Sequence, residues 1–309
     1  MSRAPGSTVG GQAVIEGVMM RAPEAWSIAV RRPDGVIEST RRDLPGFVAH
    51  SRMRKVPFIR GILVLGESLS LGFRALSWSA QKAGEEEEEE LRKRDIAFAM
   101  VFGIVFFVSV FIVAPLLVAN AAERFVGDSS IAFNLVDGLV RVSLFLLYIW
   151  AIGLNKDIRR VFEYHGAEHK TIHAYEAGDP LQLDAIQKYS PRHPRCGTNF
   201  LMIVVILALV VFTLIGRPRL VLLIASRVVF IPIIAGISYE LLKAAAQQRW
   251  LSVASKPGIW LQRLTTREPD GEQVEVAVAS LLAALSDEEA VAVGQRGPII
   301  PGALAAETS

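Results

Sequence analysis

Apolar residues run almost unbroken through positions 96–119, and as a helix that stretch spans a hydrocarbon core of roughly 30 Å. Three more stretches carry the same signature. Residues 139–154 continue a helix that begins near Ile131, and residues 200–215 and 220–242 supply the other two. Together they predict a mainly α, polytopic helical membrane protein with four transmembrane helices in two hairpins, 96–154 and 200–246.

Between and around these hairpins the pattern changes. In residues 1–55, Ser27-Ile-Ala-Val-Arg-Arg and Val36-Ile-Glu-Ser-Thr read as strands, and Pro33-Asp-Gly35 between them is a turn signal. A small N-terminal cytoplasmic β-hairpin module is expected there. Residues 56–80 are apolar but interrupted by Arg60, Glu67 and Arg74, which predicts an interfacial or re-entrant helix. Gly61, Gly66 and Gly72 on it permit close helix packing. Residues 81–95 form a charged linker: the acidic run Glu85 to Glu90 reads as a solvated hinge, and Arg92-Lys-Arg94 as a headgroup anchor. Residues 155–199 are a histidine-rich loop. Residues 247–286 form a C-terminal cytoplasmic helical segment, in which Val274, Val278, Leu281 and Leu282 give 272–285 the period of a docking helix. Residues 287–309, rich in Ala, Gly and Glu, are expected to be a disordered tail.

Composition agrees with a bilayer environment. The 309 residues are 51% hydrophobic, and the mean hydropathy is +0.37. The first fifty residues lack the apolar core of a signal peptide. A net charge of +2 conceals segregation. Arg and Lys crowd the segment before the first span, the loop between spans two and three, and the segment after span four, whereas Asn120 to Ser130 carries only Arg124. That asymmetry places both termini and the central loop in the cytoplasm, at the cell (inner) membrane. Arg217 and Arg219, in the tight outer turn between spans three and four, run against it. The single cysteine, Cys196, excludes an intrachain disulfide and suits a reducing compartment. The expected partners are the lipid bilayer and an unknown protein or peptide, not nucleic acid.

Three of the five histidines fall within Glu163-Tyr-His-Gly-Ala-Glu-His-Lys-Thr-Ile-His-Ala-Tyr-Glu176. His165, His169 and His173 are spaced four and four, so on a helix their rings share one face. Two imidazoles at i and i+4 can chelate one ion. His165 and His173 are about 12 Å apart along the axis, so one ion takes His165 with His169, or His169 with His173, but not all three. Glu168 between the first two gives the H-x-x-E-H order of inverzincins, in which the Glu is the general base beside a zinc-bound water. The bland alternative is a polar, solvated helix beside a membrane.

Topology brings other candidates to the same side. Cys196, with Arg192, His193 and Arg195 beside it and a helix start after it, is expected to favour thiolate and to serve as metal ligand or nucleophile. His193, between two prolines, is a ligand or a turn residue. Glu240 near the cytoplasmic end of span four is a candidate third ligand, and Glu176 competes with it. Glu163 adds a further acid/base group. Gly10-Gly-Gln-Ala-Val-Ile-Glu-Gly-Val-Met-Met-Arg-Ala-Pro23 offers Gln12, Glu16 and Arg21, and is expected to be a structured loop packed on the membrane module. Inside the bilayer, Arg227 is expected to face span two and pair with Asp137, Asn134 being a weaker acceptor and Arg141 a competitor for Asp137.

The motif at 10–21, Glu163-Tyr-His-Gly-Ala-Glu-His-Lys170, Arg195-Cys-Gly-Thr-Asn-Phe200 and Trp260-Leu-Gln-Arg-Leu-Thr-Thr-Arg-Glu-Pro269 together resemble the YqhQ-like family of multi-pass bacterial membrane proteins. The resemblance covers roughly residues 9–285. It implies membrane location and a metal-dependent enzyme without naming a substrate. Two classes of function follow: a membrane zinc hydrolase, a peptidase being one form, or a non-catalytic scaffold or assembly factor with a structural metal or none. Metal transport is disfavoured, because the cluster lies outside the spans. The expected cofactor is a divalent transition metal, zinc foremost.

Overall fold

The computed structural model describes residues 9–44, 56–57, 59–84, 93–126, 129–216, 220–247, 253 and 255–308, with some side chains in 93–126 and 220–247 excepted. The acidic hinge at 85–90, Arg92 and the side chains of Lys93 and Arg94, Arg217 and Arg219, and the side chain of Arg227 with its expected pairing lie outside the described residues.

A sheet organises the water-soluble part. Strands β1 (Gly10–Val14), β2 (Gly17–Arg21), β3 (Ala25–Arg31) and β4 (Ile37–Asp43) form an antiparallel meander in that order. The expected hairpin is β3–β4, with Gly35 at a positive φ of 86° in its turn. The expected loop at 10–23 is instead a second hairpin, β1–β2, closed by Ile15 and Glu16. Its strand pattern is hidden because both faces are covered: Val14 and Met19 face one layer, Val18 and Met20 the other.

Helix α1 (Ile59–Ala83) packs Leu71 and Ala75 against Trp26, Ile28 and Val30 on the first face. It is one continuous helix, as the expected interfacial or re-entrant segment requires. The charges that interrupt its apolar run are paired, Glu67 with Arg21 at 2.9 Å and Arg60 with Glu240. Gly61 brings it against Tyr239 and Gly236, whereas Gly66 faces open space.

The chain then runs through α2 (Lys93–Val108), a π-turn (Ser109–Val113), α3 (Ala114–Val126) and α4 (Ser130–Ile152). Helix α5 (Lys156–Ala177) carries the histidines, and short α6 (Leu183–Ile186) follows. After it come α7 (Gly197–Ile215), α8 (Leu220–Gln247), α9 (Lys256–Thr265) and α10 (Gly271–Ala284). Among the described residues, three helical stretches are long and apolar enough to cross a membrane: Val101–Phe125, Ser130–Ile152 and Gly197–Ile215. The fourth expected span falls within α8.

The second face of the sheet, with Val18, Met20, Ala29 and Ile37, shares a core with Tyr164, Ala167 and Ile172 of α5 and with Val274, Val278 and Leu281 of α10. Helix α10 is opened by a capping box between Asp270 and Gln273. The segment expected as a disordered tail folds onto this core. It forms α11 (Asp287–Gly294), α12 (Pro301–Leu304) and strand β5 (Glu307–Thr308), which pairs parallel to β4. Its small-residue composition concealed sparse anchors, Val293, Ile300 and Ala303, all buried in the core.

Asp137 is engaged by the competitor expected for it, Arg141. Its carboxylate meets Arg141 one turn along α4 at 3.0 Å, and the second arginine nitrogen donates to Phe111 O at 2.8 Å. Phe111 lies in the π-turn. Arg141→Leu would take this partner from a buried carboxylate, and about 3–5 kcal/mol of destabilisation is expected. Asp137→Leu/Arg141→Leu should recover much of that loss. Thermal unfolding in detergent reads both; an Arg141→Leu variant as stable as wild type would show that the pair carries no weight.

Candidate metal centre

Helix α5 has definite ends, which fixes the phase of its histidines. Asn155 Oδ1 accepts from the backbone N–H of Asp157 and Ile158, and Gly178 ends the helix in the left-handed region at φ 81°. Gly166 lies under the backbone of Arg267, where a Cβ would collide with the carbonyl. The absent side chain lets the segment after α9 lie against α5, and Thr265 O comes within 2.9 Å of His165 Nδ1.

That contact settles the histidine's chemistry. A ring nitrogen facing a carbonyl must carry the proton, so Nε2 of His165 keeps its lone pair. Nε2 points at Cys196 Sγ, 3.2 Å away. His169 is held the same way: Nδ1 faces Pro191 O at 2.7 Å, and Nε2 is buried without a hydrogen-bond partner. The ring is 1% exposed. Burial, then the neighbouring His165, holds its pKa well below the usual imidazole range, so it is neutral and able to donate its lone pair.

The donor atoms of His165, His169 and Cys196 all lie within 4.8 Å of one another. Around a tetrahedral zinc, nitrogen and sulfur donors stand about 3.3–3.6 Å apart, so a small inward movement of side chains completes three corners. Carbonyl-oriented imidazoles are the usual outer shell of such sites. Cys196 caps the N-terminus of α7, and Thr198 donates to its sulfur from both N and Oγ1. The expected thiolate is not favoured by its neighbours as foreseen. Burial pushes the thiol up, and Arg195 turns away to Glu176.

Glu168 stands beside the donors, 4% exposed. The N–H of Gly11 on β1 donates to its carboxylate, Oε2 has no partner, and burial pushes its pKa up to about 8. Donors and carboxylate line a cavity of about 530 Å³ walled by β1, α1, α5 and the start of α7.

The other expected site residues divide. His193 and His173 continue a file of rings behind His169, at centroid separations of 5.7 and then 4.4 Å, but neither joins the donor set. His193 Nδ1 accepts from Arg195 N, and its Nε2 lies 3.6 Å from Glu176. His173 Nε2 meets Arg192 O. Glu176 is engaged by Arg195 and His193, and Glu240 by Arg60, and neither is in the group of donors within 4.8 Å of one another. Glu163 pairs with Arg159 and accepts from Gln273. Glu16 binds Arg160 and Tyr164. Gln12 lines the cavity and abuts Gly72 of α1.

Gln262 escaped the sequence reading as a site residue. It is fully buried, accepts from His193 N at 2.8 Å and donates to His193 O at 2.9 Å. It clamps the loop that carries both Pro191 O and Cys196. A buried, uncharged Gln in an amphipathic helix gives no local signal of that role.

The chain is thus a mainly helical protein in which membrane-length helices join a small sheet, with a histidine–cysteine donor set at the junction. It belongs to the family described as "Protein of unknown function (DUF1385)", whose profile matches residues 56–287. It is 34% identical over 300 residues to "Uncharacterized protein YqhQ" of Bacillus subtilis (strain 168), covering 90% of this chain and 94% of that protein. No solved structure matches it significantly. The YqhQ-like resemblance is borne out, and neither description carries an activity.

Proposed function

We propose that this protein is a metal-dependent hydrolase of acyl bonds, a peptidase in its simplest form, acting at the cytoplasmic face of the cell membrane. The observation that carries the reading is His169 Nε2: a buried lone pair with no partner, beside His165 Nε2 and Cys196 Sγ on a cavity wall. Three protein donors suit a catalytic zinc, because a structural zinc takes four. Bound there, zinc would polarise an acyl oxygen and make water more acidic. Glu168 then acts as base. Its carboxylate removes a proton from water as the water oxygen bonds the acyl carbon. It returns that proton to the leaving nitrogen as the carbon–nitrogen bond breaks.

We infer four spans, a count that supports this location. The N-terminal sheet, α5 and α10 share one core, so no bilayer separates them. Each intervening hairpin would then cross an even number of times, which favours α8 as a fourth crossing. The Arg and Lys distribution supports a cytoplasmic side for the shared core.

A second reading has its own observation. Cys196 and His165 are 3.2 Å apart and His165 is oriented by Thr265 O, the arrangement of a thiol nucleophile with its base. Cobalt(II) substitution of the purified protein separates the two. The metal reading expects a thiolate-to-cobalt charge-transfer band, lost in Cys196→Ser, and d–d bands that shift when a hydroxamate fills the open position. Failure of cobalt to bind, with rapid alkylation of Cys196 by iodoacetamide, would favour the dyad and overturn the metal.

A further inference from the structure

The cavity has an unusual floor. Five consecutive residues, 9–13, line it, and they are β1 with the residue before it. Among the described residues strand β1 is an edge: it pairs with β2 on one side and has no strand on the other. Helix α1 covers the sheet face of Gln12 and Val14, and α5 covers the face of Gly11 and Ala13. The cavity is therefore a slot between two helical layers, open along the edge of a strand.

The register fixes which backbone groups face that slot. Val14 and Gly17 flank a two-residue connection, so Val14, Gln12 and Gly10 turn their N–H and C=O toward β2. Gly11 and Ala13 turn theirs outward. A Gly11 N–H that faces the Glu168 carboxylate is in keeping with that phase. The C=O of Gly11 and both groups of Ala13 remain directed at the slot. Gly10 and Gly11 are exposed, and a Cβ on Gly10 would have nothing within 4 Å.

We infer that the ligand of this slot is an extended polypeptide segment, added to the sheet as a strand beside β1. Strand addition recognises backbone, with hydrogen bonds at every second residue, and pockets read alternate side chains. The same edge holds Glu168 through Gly11. A chain docked on Gly11 and Ala13 thus lies one residue from the carboxylate, with a backbone carbonyl beside the histidine–cysteine set. This rests on the hydrolase reading and names its substrate class: peptide in extended form, selected by its backbone.

The test uses the full-length Glu168→Gln protein in detergent, loaded with zinc, so that peptide binds without being cut. The probe is a fluorescein-labelled decapeptide of alternating Val and Thr, read by fluorescence anisotropy. Two derivatives are N-methylated at alternate residues, in opposite phases. Saturable binding is expected for the parent, with at least a tenfold loss for one phase and little for the other. Gly10→Val in the same background, whose side chain enters open space, should keep its zinc and lose the peptide. Equal binding of both phases, or no peptide binding by protein that carries zinc, would overturn strand addition and leave the metal reading standing. Phase-dependent peptide binding by protein that takes up no zinc would support the strand and remove the metal.

Discussion

Wild-type protein purified without chelator should carry close to one equivalent of zinc, and the His165→Ala/His169→Ala variant none. Both imidazoles are prepared in advance. Each Nδ1 is held on a backbone carbonyl, so no rotamer or tautomer must change for Nε2 to bind. Loss of an outer-shell partner alone typically costs about 10–100-fold in metal affinity, and loss of two direct ligands leaves Cys196 as a single donor. His169 is buried, so alanine there also opens a cavity, and folding must be checked by circular dichroism. Cys196→Ser supplies a milder partner: weakened binding with the fold kept. Stoichiometric zinc persisting in the folded double variant would mean that the ion sits elsewhere.

Legibility in the sequence followed period and burial. The His165–Glu168–His169 face was visible because helical spacing alone aligns it, and the end of α5 was visible because Gly178 is followed by Asp179 and Pro180. Membrane-length helices were visible because lipid-facing segments need no alternation. Strands β1 and β2 were not, since a strand covered on both faces loses its polar beat. The donor set itself was half legible. Cys196 could be named but not placed, because its distance from His165 depends on Gly166 admitting the backbone of Arg267 and on Gln262 holding the loop before α7. Glu240 and its competitor Glu176 could be named as ligands, but not their pairing with Arg60 and Arg195. Competition among charged partners is a tertiary fact, and no spacing rule encodes it.

Glu168→Gln should leave the zinc equivalent unchanged and lower peptide hydrolysis by about 10²–10⁴-fold, the usual contribution of a general base. The substitution is close to isosteric. Glutamine keeps an oxygen for the Gly11 N–H and offers an NH₂ where the carboxylate has its unpartnered Oε2. It cannot take a proton from water, and that is the only function withdrawn. Glu168 is not one of the three donors, so metal content separates the two roles cleanly. Turnover of fluorescence-quenched peptides by protein in detergent gives the rate, and elemental analysis of the same samples gives the zinc. Loss of zinc with loss of rate would make Glu168 a ligand, and the site a closed one. Full rate with zinc bound would remove Glu168 from the chemistry and, with it, the likeness to the H-x-x-E-H peptidases. A rate fall confined to kcat, with KM unchanged, is the outcome that fits a carboxylate beside the docked strand and acting on water.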